Sequence, residues 1–198
     1  KEKNKKGIKK DDFFYKYNFK VGEGVLIPRP ETEILVEKAL KHINKQSKVL
    51  DLCTGSGAIA ISVNKESGAL VTAVDVSQDA LDLAKENAKL NDAQVDFVLS
   101  DMFSGLEGQK FDVIISNPPY IKSQDILSLQ KEVKEFEPNL ALDGGEDGLD
   151  FYKTIAKDGY AHLSQGGKIF LEFGIGQAEQ IKNIFSERQI ARVNETGC

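Results

Sequence analysis

Five short apolar runs recur along the chain, and a helix-patterned or polar segment separates each from the next. They are KVLDLC, ALVTAVD, VDFVLSD, FDVIISN and GGKIFLEFG. Each is too short for a helix and apolar on both faces, as in a strand buried between two layers. The segments between carry helical spacing. Leu35, Val36, Ala39, Leu40 and Ile43 repeat that way behind Pro30, which suits a first helical position, with Glu31 and Glu33 in the first turn. Ser77 caps a predicted helix with Ala80, Leu81, Ala84 and Ala88 on one face. GAIAISVNKE and QAEQIKNIFSE read as two more helices, and Leu149, Tyr152, Ala156, Tyr160 and Leu163 as the stripe of another. Strands alternating with helices predict an α/β fold: a doubly wound, mostly parallel sheet in three α/β/α layers, Rossmann-like. The aromatic stretch FFYKYNF, Phe13–Phe19, is expected as an edge strand or a flap.

A chain of 198 residues with 40% hydrophobic and 29% charged residues can build one ordinary globular core. The net charge of −5 argues against a broad basic face, so no stable nucleic-acid binding is expected. The two cysteines, Cys53 and Cys198, form no disulfide framework and fit a reducing compartment. No apolar run reaches membrane-spanning length and no signal peptide is visible, so the expectation is a cytoplasmic protein without a membrane partner. The opening KEKNKKGIKKDD reads as a solvated tail or linker.

Ligands in such sheets bind beyond the carboxyl ends of the strands. Chemistry is therefore expected just after Leu52, Val74, Ser100, Ser116 and Phe173. After the first run, Gly55 and Gly57 let the backbone turn tightly and approach a ligand, at the N-terminus of the next helix. Asp75 ends the second run, where a carboxylate can accept from both hydroxyls of a ribose. Together they signal an adenosine-containing cofactor. The spacing Gly55-Ser56-Gly57-Ala58-Ile59-Ala60, with an acid about 20 residues on, also fits a nicotinamide dinucleotide. At the third run's end Asp101 can bond an adenine amino group, and Met102 either lies against the ring or fills the core.

The fourth run ends in Asn117-Pro118-Pro119-Tyr120. The prolines stiffen the exit and remove donors. The Asn117 side-chain oxygen and the Pro118 carbonyl can accept both hydrogens of a planar –NH₂ group, and Tyr120 offers a flat face beside it. Amide and aryl amine nitrogens are poor nucleophiles, so orientation and desolvation must carry much of the catalysis. A hydride-transfer enzyme has no need of this corner.

DLCTGSGAIA, Asp75, SDMFSG and SNPPY resemble class I methyltransferases that use S-adenosylmethionine and methylate amide or amino nitrogen. LIPRPETEILVE, Leu26–Glu37, and EFEPNLALDGGEDGLDFY narrow the resemblance to the HemK/PrmC family, whose members methylate a glutamine side-chain nitrogen in peptide chain release factors. The resemblance implies S-adenosylmethionine as cofactor, S-adenosylhomocysteine as product and a release factor as partner. It implies a cofactor site of Cys53, Thr54, Gly55, Ser56, Gly57, Asp75, Met102 and Asn117, and a glutamine held by Asn117, Pro118, Pro119 and Tyr120. Arg29, Pro30 and Thr32 would lie near it, with Arg29 either at the substrate or paired with an acid such as Glu33. It also implies domain bounds: a tail and the start of a flap over 1–20, then a methyltransferase domain over 21–198. The family's N-terminal helical domain is expected to be absent and its last strands truncated.

His42 and His162, on predicted helices, are expected to be structural. No His/Cys cluster has metal-ligand spacing, so no metal is expected. DGGEDGLD lacks EF-hand spacing and reads as a solvated turn before a helix. Glu135 and Glu137 are expected to be structural, because an amide can lose its proton to water after transfer. The rival readings are an adenine-N6 methyltransferase, which shares NPPY, a cofactor-binding module without activity, and a nicotinamide enzyme.

Overall fold

The computed structural model describes residues 11–22, 25–26, 29–126, 128 and 139–187. Each of the five apolar runs forms a strand of one sheet, and FFYKYNF forms part of a separate hairpin. The hairpin joins β1 (Asp11–Phe14) antiparallel to β2 (Tyr17–Lys20). Tyr15, at its turn, takes a left-handed φ of 58°. The hairpin is not an edge strand of the main sheet but a two-stranded sheet of its own, and Phe14 and Phe19 pack it into the core with α2 (Ala58–Ser67).

The main sheet contains β3 (Lys48–Leu52), β4 (Leu70–Asp75), β5 (Val95–Leu99), β6 (Phe111–Ser116) and β7 (Leu163–Leu171). Its order is β5-β4-β3-β6-β7, and every pairing is parallel. Successive residues of a strand face opposite sides. Val49, Val113 and Ile115 accordingly pack under α1 (Pro30–Leu40) and α2, together with Ala88 of α3 (Gln78–Leu90). Leu50, Leu52 and Ile114 pack under α4 (Asp150–Asp158) and α5 (Ala178–Ser186). The three-layer α/β/α expectation is met.

Local signals behave as the chain predicts at most ends. Pro30 opens α1 with Glu31 and Glu33 in its first turn. The Ser77 hydroxyl caps α3 by accepting from the Ala80 N–H at 3.2 Å. Three details differ. The stripe from Leu149 to Leu163 is not one helix: α4 ends at Asp158 and tightens into a 3₁₀ turn, Gly159–His162. Three residues per turn instead of 3.6 rotate Tyr160 off the buried face, where it is 72% exposed. β7 then starts at Leu163 and bulges, pairing Phe111 with Leu163 but Val113 with Lys168. β5 is half exposed, because a strand at the sheet edge has one neighbour only.

His42 packs its ring 5.6 Å from Phe170 and His162 stacks 4.8 Å from Phe103, as structural histidines do. Glu135, Glu137, residues 1–10 of the lysine-rich opening and the closing RQIARVNETGC, on which the expectation of truncated last strands rests, lie outside the described residues. Among the described residues, no helix is long and apolar enough to cross a membrane.

Candidate active site

The chain proceeds from β3 outward to β4 and β5, then returns to β6 on the other side of β3. This reversal is a topological switch point, where the loops after two neighbouring strands border one crevice. The Gly-rich loop leaves β3 and the Asn-Pro-Pro-Tyr corner leaves β6. Leu52 pairs with Ser116, and the Ser116 hydroxyl donates to the Leu52 carbonyl at 2.7 Å. The two motifs start from adjacent points.

The Gly-rich loop is tightly folded. Cys53, Gly55 and Gly57 have φ of 58°, 56° and 83°. The Thr54 N–H donates to Val74 O, and the Gly57 N–H to Thr54 O. Beneath the loop lies Asp51, fully buried. Its Oδ2 accepts from Thr54 Oγ1 at 2.7 Å and from the Ala60 N–H at 3.2 Å, pinning the loop to α2. Burial pushes the Asp51 carboxyl up to about 7, against the pull of those two hydrogen bonds. Asn87 braces the loop from outside. Its amide donates to Ser56 O at 2.9 Å and to Lys20 O at 3.0 Å, and accepts from the Lys20 N–H at 2.7 Å. One buried side chain thus joins the hairpin, α3 and the loop.

Asp75 stands at the end of β4. Its Oδ2 accepts from the Gly55 N–H at 2.9 Å and its Oδ1 from the Ser77 N–H at 3.0 Å. Each oxygen keeps acceptor capacity, so the carboxylate is fixed in place and still able to bind a diol. Val76 beside it is 54% exposed, an apolar side chain at the crevice mouth. Met102, with φ 50°, is buried and places Sδ 3.7 Å from Cys53 Sγ. Asp101 is exposed at the rim. Burial raises the Cys53 thiol far above its ordinary range, with Asp75, Asp51 and Asp101 adding to the effect. The thiol stays protonated and is no nucleophile. A cavity of about 620 Å³ opens on the α4 side of Met102, lined also by Asp101, Asp150, Thr154 and Lys157; it does not include Asn117 or the Gly-rich loop.

At the other motif, Asn117 Nδ2 donates to Thr32 Oγ1 at 3.3 Å, and the Thr32 hydroxyl donates to Glu172 Oε2 at 2.6 Å. Asn117 Oδ1 is buried with no hydrogen-bond partner among the described residues. Pro118 is buried, and Pro119 and Tyr120 are half-buried. The exit is clamped by backbone. The Ile121 N–H donates to Leu142 O, and the Gly144 N–H to Ile121 O. Gln177 donates to Tyr120 O at 3.0 Å and accepts from the Gly174 N–H at 2.8 Å.

Arg29 is exposed at the start of α1; burial raises the Glu172 carboxyl, and the Thr32 hydrogen bond and the Arg29 charge offset only part of that rise. Glu33 accepts from the Tyr15 N–H at 2.8 Å, tying α1 to the hairpin turn. The structure thus brings Cys53, Thr54, Gly55, Ser56 and Gly57 together with Asp75, Met102 against Cys53, and Asn117 against Thr32. Sequence reasoning missed Asp51, Val76, Asn87, Glu172 and Gln177. Asp51 and Glu172 had a signal: each is an acid inside an otherwise apolar run.

The family model of the methyltransferase small domain matches residues 30–146. A release factor glutamine methyltransferase of Thermodesulfovibrio yellowstonii is 46% identical over 178 residues, spanning 87% of this chain and 64% of that protein. One of Streptococcus pneumoniae is 47% identical over 174 residues, spanning 87% and 62%. The chain therefore spans less than two thirds of the length of these curated relatives. Among solved structures, the ribosomal protein L11 methylase of Lactobacillus delbrueckii subsp. bulgaricus superposes with a TM-score of 0.65 at 20% identity, covering 87% of this chain and 77% of that one. The E. cuniculi Mtq2-Trm112 complex, responsible for methylation of the eRF1 translation termination factor, gives 0.60 at 19% identity, covering 83% and 84%. At these identities the structural likeness establishes the fold.

Proposed function

The chain belongs to the methyltransferase small domain family, and from that premise we propose that it transfers a methyl group from S-adenosylmethionine to the side-chain amide nitrogen of a glutamine in a peptide chain release factor. The observation that carries this reading is the buried, unpartnered Asn117 Oδ1 at the exit of β6, the strand next to the one from which the Gly-rich loop leaves. A buried acceptor without a donor is costly, on the order of 1–3 kcal/mol. A primary amide supplies the missing donor. The relatives named release factor glutamine methyltransferase support the choice of acceptor.

The residues fit the cofactor. Gly57 is tightly packed: a Cβ there would stand 3.0 Å from Ile61 Cδ1 and 3.1 Å from Ala84 Cβ, so the loop is held closely against α2 and α3. The loop and Asp75 offer backbone donors and a carboxylate with spare lone pairs, which suit a carboxylate and a ribose diol. Val76 and Met102 offer apolar surface to a flat base. S-adenosylmethionine, when bound, supplies a methyl group activated on a sulfonium, so no metal is required. Asn117 Oδ1 and the Pro118 carbonyl accept the two amide hydrogens, and Tyr120 flanks them. Held so, the nitrogen turns its face toward the Gly-rich loop. The bound cofactor would supply the methyl to that nitrogen, which would release one proton to water, with S-adenosylhomocysteine as the other product. The glutamine is bound as the neutral amide; Glu172 and Asp51 are engaged by Thr32, Thr54 and Ala60 and serve as no base.

The test is mass spectrometry of a purified release factor incubated with this protein and S-adenosylmethionine, beside a nucleic-acid arm. One methyl on one glutamine is expected. Methylated adenine with unmodified release factor would replace this reading with the adenine-N6 one. Asn117→Ala should abolish transfer while cofactor affinity falls less; unchanged turnover would remove the role given to Asn117.

A further inference from the structure

Asn117 carries an amide whose two ends have opposite chemistry, and its function depends on which end faces the crevice. Thr32 decides. Its hydroxyl has one proton, and the 2.6 Å contact with Glu172 Oε2 engages that proton while the carboxylate is ionised. Toward Asn117 it then presents only a lone pair. Nδ2 alone can satisfy it, at 3.3 Å, which turns Oδ1 the other way. Glu172 is fixed in its turn. Its N–H donates to the carbonyl of Ser116, the residue before Asn117, at 3.0 Å. Its own carbonyl accepts from the Tyr152 hydroxyl at 2.7 Å.

We propose that Thr32 and Glu172 are positioning residues that lock the Asn117 amide with its oxygen toward the acceptor, so that the site selects a nitrogen with hydrogens to donate. The proposal rests on the reading of a glutamine amide as acceptor. It explains why the start of α1 and the end of β7 belong to the reaction although neither carries a group that touches it.

The lock is sensitive to protonation. Glu172 faces Thr32, Glu31 and Arg29 at the start of α1 and Tyr152 on α4. Burial, the largest influence, and Glu31 push its carboxyl up; the Thr32 hydrogen bond and Arg29 pull it down, and the net shift is upward. A protonated Glu172 donates to Thr32, which frees the Thr32 proton for Asn117 and lets the amide turn over. The ionised form is the working form, so activity is lost as pH falls through the Glu172 pKa.

Two measurements test this on the full chain. The first is the ¹⁵N spectrum of the Asn117 side-chain amide, without cofactor or acceptor. One Nδ2 proton should exchange slowly, respond to pH, and lose its protection in Glu172→Gln and Thr32→Val but keep it in Thr32→Ser. The second is the pH profile of kcat on a purified release factor, with S-adenosylmethionine affinity measured by calorimetry. Glu172→Gln and Thr32→Val should lower kcat at least about tenfold with cofactor affinity changed less than about twofold, and Thr32→Ser should recover most of the loss. Glu172→Gln should also lack the acid limb of the wild-type profile. Wild-type amide protection, kcat and acid limb in both variants would overturn the relay. If the wild-type protein methylates no glutamine while the amide responds as described, the acceptor reading falls and the relay stands.

Discussion

A Cβ placed on Gly144 would stand 2.8 Å from the Cα of Tyr120 and 2.9 Å from the Pro119 carbonyl oxygen. Two backbones more than twenty residues apart are in contact with no room for a side chain between them. Gly148 makes the same approach from the other side, its Cβ position 2.5 Å from Tyr120 O. The segment around these glycines is thus a mould for the Asn-Pro-Pro-Tyr corner. Gly144→Ala should push that corner out of place. Turnover should fall about tenfold to a hundredfold, the scale expected of a small misplacement, while cofactor affinity stays within about twofold. Single-turnover rates with calorimetry check this; equal rates would mean the mould yields freely.

Asp51 makes a pH prediction. Its pKa is raised to about 7 in the folded protein, so the folded chain holds a proton the unfolded chain has already lost. The contribution is fully present below the unfolded value and disappears as pH rises through about 7. Asp51→Asn has no such group. The stability of wild type minus that of the variant should therefore decline between about pH 4 and pH 7 and level off above. Urea unfolding across that range measures it, and a difference independent of pH would contradict the assignment.

Asn87→Ala removes three hydrogen bonds, two to Lys20 and one to Ser56. At about 1 kcal/mol each, with backbone groups left unpaired, the loss should be about 2–4 kcal/mol. Because one amide braces both the hairpin and the Gly-rich loop, cofactor affinity should weaken in the same variant. A stability loss with unchanged affinity would show that the loop holds its shape without the brace.

Gly57→Ala should weaken cofactor binding about tenfold. The residue sits at φ 83°, and a Cβ would meet Ala84 Cβ at 3.1 Å as well as Ile61. Gly108 gives the control: φ is 74° but nothing lies within 4 Å of its Cβ position. Gly108→Ala carries only the left-handed strain, about 1–2 kcal/mol, and should leave affinity unchanged. Equal affinities in the two variants would remove packing as the cause.

The sheet was legible because strands buried on both faces need continuous apolar runs, and five such runs are visible without any neighbour being known. The Gly-rich loop, Asp75 and Asn117 were legible because the strand-end rule says where to look. The relay was not. Glu172 and Thr32 lie 140 positions apart, and no local pattern states that they touch. The role of Gly144 was hidden for another reason: DGGEDGLD reads as a solvated turn until the backbone of Tyr120 is placed against it. Asn87 stood within reach, since it shares the α3 face of Ala84 and Ala88, where a polar residue asks for partners. Tyr160 followed the helical spacing, but a tighter last turn carried it to the surface.

The pairing of Leu52 with Ser116 has one more consequence. The Gly-rich loop and the Asn117 corner spring from adjacent strands, so their origins are one strand spacing apart, about 4.8 Å. That length is a repeat of the hydrogen-bonded lattice and belongs to neither loop. It works as a ruler set into the stiffest part of the molecule. Under the proposed reading, loops beyond Tyr120 can lengthen, shorten or change their chemistry, and so change which protein would be presented, while the starting points of the two motifs stay the same distance apart.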